Sequence, residues 1–147
     1  MFLTRNSAHA YRKVGIESDV AGASPHRLVH LLYEGAIGSV QAARQGIDQG
    51  QVAQKGQAIA KAIRIVDEGL KASLDADQGG DIARRLSALY DYMVGQLLQA
   101  NLKNDRKALE QVESLLATLR DAWDAIEPPP ARPAGAGKAP YGGLVAA

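Results

Sequence analysis

Gly79-Gly80-Asp81-Ile82-Ala83-Arg84-Arg85-Leu86-Ser87-Ala88-Leu89-Tyr90-Asp91-Tyr92-Met93-Val94-Gly95-Gln96-Leu97-Leu98-Gln99-Ala100-Asn101-Leu102-Lys103-Asn104-Asp105 is the stretch that decides the fold. At about 100° per residue, Ile82, Leu86, Leu89, Met93 and Leu97 fall on one helical stripe with Tyr90 at its edge, which is what one face of a bundle helix needs. Gly79-Gly80-Asp81 supplies a turn and a cap before it, and Asn104-Asp105 does the same for whatever follows. No alternation of period two competes with this pattern.

Working outward, the same spacing recurs. Helices are predicted from roughly Pro25 to Gln49, Val52 to Leu74, Ile82 to Leu102 and Arg106 to Ile126. Ser24 is the expected N-cap of the first, Pro25 occupies the first helical position where its missing N–H is harmless, and Gly50 ends it. Short connections make sequential helices antiparallel neighbours. The prediction is an all-α, antiparallel four-helix bundle over residues 25–127, preceded by an N-terminal cap segment at 1–24. Glu127-Pro128-Pro129-Pro130 and the Pro/Gly/Ala-rich tail to Ala147 can neither continue a helix nor build a core, so 128–147 reads as disordered.

Composition narrows the function. The chain has 147 residues, 46% of them hydrophobic, enough for one domain with one core. With 17 basic and 16 acidic residues its net charge is +1, which offers no broad field for nucleic acid or anionic lipid. The absence of cysteine excludes thiolate metal sites and suits a reducing compartment. No signal peptide or membrane span is legible, so a cytosolic protein is expected.

Three of the apolar faces are wider than a bundle core requires. Val94, Leu98 and Leu102 continue past the stripe of the third helix, while Tyr92 points away on the other side. On the second helix Val52, Ile59, Ile63, Val66, Leu70 and Leu74 form the expected core, and Ala58, Ile65 and Ala72 lie on a separate line. On the first, Leu28, Leu32, Ala36, Val40, Ala43 and Ile47 face inward, whereas Leu31, Gly35, Gly38 and Ala42 make a smooth stripe that another backbone could approach. A groove for a partner's amphipathic helix and a self-associating module both account for such surplus.

Signals for chemistry are weak. His26, His30 and Glu34 share one face at i, i+4 and i+8, compatible with a metal, but a solvated or core-edge role outweighs that about ten to one because no zincin or di-iron spacing accompanies them. Arg84-Arg85 and Arg106-Lys107 read as solvated, charge-balanced helix ends. No catalytic residue, cofactor or metal site is assigned.

Three stretches together resemble the FliS family of flagellin-specific export chaperones: Ala23-Ser24-Pro25-His26-Arg27-Leu28 to Leu32-Tyr33-Glu34-Gly35-Ala36; Lys61-Ala62-Ile63-Arg64-Ile65-Val66-Asp67 with Gly69-Leu70; and Gly79-Gly80-Asp81-Ile82-Ala83 through Leu89-Tyr90-Asp91-Tyr92-Met93 to Ala100-Asn101-Leu102-Lys103-Asn104-Asp105. The resemblance covers about residues 8–126. It implies a cytosolic four-helix chaperone, without enzymatic activity, that binds the C-terminal region of flagellin, prevents premature polymerisation and delivers it to the flagellar type III export gate. A homo-oligomeric interaction module is the alternative, and a homodimer of the unliganded chain is compatible with either. The partner-binding positions carried over are Ile63, Ile65, Val66 and Leu70 on the second helix and Tyr90, Met93, Val94 and Leu98 on the third. Tyr11 matches a recurrent N-terminal tyrosine and, with Val14 and Ile16, is expected to cover part of the groove. Gly95-Gln96 departs from the basic residues often found after the Tyr-Met pair.

Overall fold

The structure is a computed structural model that describes residues 24–126. Four helical stretches fill it: α1 (Pro25–Asp48), α2 (Val52–Arg64) continuing without a break into a π-helical segment (Ile65–Lys71), α3 (Ala76–Lys103) and α4 (Arg106–Ala125). α1 packs on α2 and on α4, and α3 packs on α4 and on α2 with its π extension, which closes a four-membered ring. The ring is the predicted antiparallel bundle. Tyr33 of α1 and Tyr90 of α3 meet across its diagonal, hydroxyl to hydroxyl at 2.7 Å, in the buried centre. Burial raises the pKa of the Tyr33 phenol and holds that of Tyr90 well above its ordinary range, so both stay neutral and share one proton donor and one acceptor.

The helix ends follow the punctuation of the sequence. Ser24 Oγ accepts the Arg27 N–H at 3.1 Å, and Gly50 adopts φ 67° where α1 stops. Just before that stop, Gly46 has no room for a side chain: a Cβ would lie 2.8 Å from the Lys55 backbone nitrogen. That absence lets α2 fold back tightly on α1. At the α3–α4 corner Asn104 takes the left-handed conformation (φ 52°), and Asp105 caps α4 by accepting the Ala108 N–H at 3.1 Å.

Two boundaries differ from the sequence reading. α3 starts at Ala76, capped by Asp75, so Gly79-Gly80-Asp81 lies inside it. The break still falls there, because Gly80 has φ 52° and ψ −126°, a conformation only glycine adopts readily, and it kinks the helix after its first turn. The second helix ends at Lys71 rather than Leu74, having widened into the π form. A π turn holds more residues than an α turn, and the segment touches both α1 and α3. Ile65, Val66, Gly69 and Leu70 are therefore all buried within six positions.

Core membership shifts accordingly. Ile65, expected outside the core, is fully buried, whereas Ile63 is only half-buried. Val52 and Ile82, expected inside, are 74% and 58% exposed. Val52 is the first residue of α2, and Ile82 stands just past the kink at Gly80.

Candidate functional site

The long family-like motif of α3 separates into structural roles. Tyr90 and Met93 enter the core; Asp91 accepts an ion pair from Lys71 of the π segment at 2.7 Å; Tyr92 donates to Gln111 of α4 at 2.9 Å. These bonds fix which flank of α3 faces which neighbour. Asp91 looks to α2 and its π extension, and Tyr92 looks to α4. The Asn101–Asp105 run is equally architectural. Lys55, 8% exposed, extends from α2 to donate to the Asn101 carbonyl at 3.0 Å and to Asn104 Oδ1 at 2.6 Å. Its charge thereby sits on the C-terminal carbonyl end of α3, where a cation is favoured. Asp105 also accepts from Gln99 at 3.0 Å; that bond and the Ala108 N–H hold its carboxyl below the usual carboxylate range.

His26 and His30 are spent on the opposite seam, between α1 and α4. His26 stacks on Trp123 with ring centroids 4.8 Å apart. Its Nε2 lies 3.0 Å from the Trp123 carbonyl, which can only accept, so Nε2 carries a proton. Trp123 returns a bond from its indole N–H to the His26 carbonyl at 2.9 Å. One turn on, His30 Nδ1 meets Asp124 at 2.8 Å, and Glu34 takes Arg120 at 3.0 Å. His26, His30 and Glu34 are thus a fastening between helices. Among the described residues no group of three or more His, Cys, Asp or Glu side chains could hold a metal. Arg106, expected merely to be solvated, grips Asp48 of α1 with two bonds of 2.8 and 3.0 Å and also pairs with Glu110.

The eight positions expected to bind a partner divide by depth. Ile65, Val66, Leu70, Tyr90 and Met93 are buried in the core. Ile63 and Val94 are half-buried on its margin, and Leu98 is 55% exposed. Tyr11, Val14 and Ile16 lie outside the described residues. Val94 and Leu98 continue to Leu102 as an accessible stripe on the α2-facing side of α3, spaced by four, while Val52, Ile82, Tyr92 and Ile126 are exposed elsewhere. The small residues of α1 line a different feature. Gly35, Gly38 and Ala42 form the floor of an open depression of about 600 Å³ against Gln54, Gln57, Ala58 and Lys61 of α2. A smaller apolar pocket of about 220 Å³ opens at the Trp123 end, walled by Leu70, Leu74, Ile82, Leu86 and Ile126. That pocket could not be read from sequence, since its walls come from all four quarters of the ring.

Comparison with known proteins gives a consistent result. Residues 7–130 match the family model described as Flagellar protein FliS. The chain is 50% identical over 125 residues to the Flagellar secretion chaperone FliS of Salmonella typhimurium, covering 85% of this chain and 93% of that one. It is 40% identical over 124 residues to the protein of the same name from Vibrio cholerae, covering 84% and 90%. For the Bacillus subtilis protein of that name the identity is 32% over 107 residues, covering 73% and 78%.

Proposed function

This chain belongs to the FliS family of flagellar secretion chaperones, and on that premise we propose that it binds the C-terminal region of flagellin in the cytosol. Holding that region, it prevents premature polymerisation and delivers the cargo to the cytosolic part of the flagellar type III export gate. The observation that carries this reading is the stripe of Val94, Leu98 and Leu102, half-buried to 80% exposed, beside a rigid core. Apolar anchors four residues apart suit the apolar face of an amphipathic helix, and burying them on binding is favourable. Ile63 extends the surface onto α2, while Ile65, Val66, Leu70, Tyr90 and Met93 support it from beneath. Tyr11, Val14 and Ile16 are proposed to shield it until cargo arrives.

Size-exclusion chromatography with light scattering tests the reading. A one-to-one complex with a flagellin C-terminal fragment is expected. Self-association that the fragment leaves unchanged would instead favour the homo-oligomeric module.

A further inference from the structure

The apolar pocket of about 220 Å³ opens at the end of the bundle where α4 finishes. Its inner wall is core, formed by buried Tyr90 and Trp123. Its mouth is different. Ile82 and Ile126 are 58% and 49% exposed, and Leu74 and Leu86 are half-buried between mouth and core. A cavity of about 150 Å³ lined by such side chains stays dry and takes up benzene, so this pocket has room for one aromatic ring.

Ile126 is both a wall of the pocket and the residue that closes α4. The chain that continues from it, residues 127–147, gathers its large apolar side chains in one cluster: Tyr141, Leu144 and Val145. That cluster lies beyond residue 130, where the match to the family model stops, so it is additional to the matched region.

We infer that residues 131–147 fold back onto the end of their own bundle and seat the Tyr141 ring in this pocket, with Leu144 and Val145 over Ile82 and Ile126. The three prolines at 128–130 carry the chain about 9 Å outward in extended form. From Ala131 to Pro140, with glycine at 135 and 137, the r.m.s. reach is about 17 Å, enough to bring Tyr141 back to the mouth. So short a tether gives an effective concentration on the order of 1 mM, at which a contact with a millimolar dissociation constant is made in about half the molecules. Covering Ile82 and Ile126 removes apolar surface from water, and a tyrosine can bury its ring while its hydroxyl stays at the wet mouth. Tyr11, Val14 and Ile16 are proposed to shield the α3 stripe, whereas residues 131–147 continue from the wall of the pocket itself.

NMR of the methyl groups and of the indole N–H tests this on the chain alone, with no partner present. Trp123 is the sole tryptophan, so its signal needs no assignment. In the intact chain the Tyr141 ring should give nuclear Overhauser contacts to the Ile82 or Ile126 methyl groups. Removing residues 131–147 should shift both methyl signals and the Trp123 indole while leaving mid-core Leu97 and Val112 in place, and Tyr141→Ala should reproduce most of that shift. A synthetic peptide of residues 131–147, added to the truncated chain at about 1 mM, should move the signals back toward their intact positions. Helical circular dichroism serves as the folding control for both variants. If truncation or Tyr141→Ala leaves the Ile82 and Ile126 signals unmoved, the inference is overturned. Shifts that appear only as protein concentration rises would put a second copy in the pocket and also overturn it. So would Overhauser contacts to Ile82 and Ile126 from Tyr11, Val14 or Ile16 in place of Tyr141.

Discussion

The seam between α1 and α4 and the flank between α2 and α3 are built on opposite plans. Along the first, polar groups tie the two helices from end to end: His26 and Trp123 exchange bonds to each other's backbone, His30 holds Asp124, Glu34 holds Arg120, Arg44 and Gln41 hold Glu113, and Asp48 holds Arg106. Along the second, Lys71–Asp91 and Lys55–Asn104 bracket a stretch where Ile63, Val94 and Leu98 reach the surface. Exposed ion pairs contribute only about 0.2–1 kcal/mol each, so the fastened seam is distinguished less by strength than by direction. Paired side chains fix which helix sits where, and they leave no apolar strip for a partner. The second flank keeps its rigidity at the ends and its apolar surface in between.

The sharpest way to break this contrast is to place the same charge at two depths of the second flank. Ile65→Asp puts a carboxylate at a position with no exposure. It should unfold the protein or cost more than about 4 kcal/mol, since an ionised carboxylate loses its hydration there. Leu98→Asp should melt like the parent and lose flagellin instead. Circular dichroism melts beside a binding titration read both effects; a stable Ile65→Asp would show that the second face of α2 is open after all.

On the fastened seam, Trp123→Ala removes a 5%-exposed indole together with its bond to the His26 carbonyl. A loss of about 3–5 kcal/mol is expected in urea unfolding. Flagellin binding at temperatures where the variant remains folded should change little, because this seam faces away from the α3 stripe. A specific loss of binding in the folded variant would move the cargo site to the Trp123 end.

The buried diagonal belongs to neither side and should behave as a coupled pair. Tyr33→Phe or Tyr90→Phe alone strands one hydroxyl in the core and should cost about 1–3 kcal/mol. The double variant should recover most of that. Additive losses would mean that each hydroxyl has another partner.

The glycines of α1 give a smaller contrast. Gly46→Ala meets Lys55 backbone at 2.8 Å and should destabilise by about 1–3 kcal/mol, whereas Gly38→Ala meets nothing within 4 Å and should stabilise by up to about 1 kcal/mol. The smallest effect concerns acid. Asp105, at the corner of the open flank, has its folded-state pKa lowered by the Gln99 amide and the Ala108 N–H. A lowered pKa adds stability that is present above the unfolded-state value and disappears as pH falls through the folded-state value. Melting temperature should therefore be insensitive to this group at neutral pH and decline only once pH falls below the ordinary aspartate range. Asp105→Asn, also a good cap, should retain most of the stability and lose part of the acid dependence, while Asp105→Ala should melt lower than the parent at neutral pH, with the difference narrowing in acid.

How much of the site was legible depends on the range of the cause. Leu98 and Leu102 could be placed outside the core from angular position alone, because α3 is a regular α-helix from Asp81 onward and each residue adds the same rotation. Ile63 and Ile65 could not. Their relative depth depends on the π widening and on two neighbouring helices pressing against one segment, and local spacing contains neither. His26 and His30 show the same limit from the other side: their spacing admits a metal, and only the arrival of Trp123 and Asp124 from 94 to 97 residues away gives them a different task.

By itself the sequence determined the helical class, the four segments, most caps and turns, and the family, since these follow from interactions within a few residues or from an ordered set of side chains along one chain. Tertiary structure decided which apolar residues are spent on the core and which remain for a partner. It joined Tyr33 to Tyr90, set Lys55 on the end of α3, and turned the widest apolar face of α2 inward. The physical reason is that burial belongs to a packed neighbourhood: a side chain's depth is set by the elements that close over it, and no single helix contains that information.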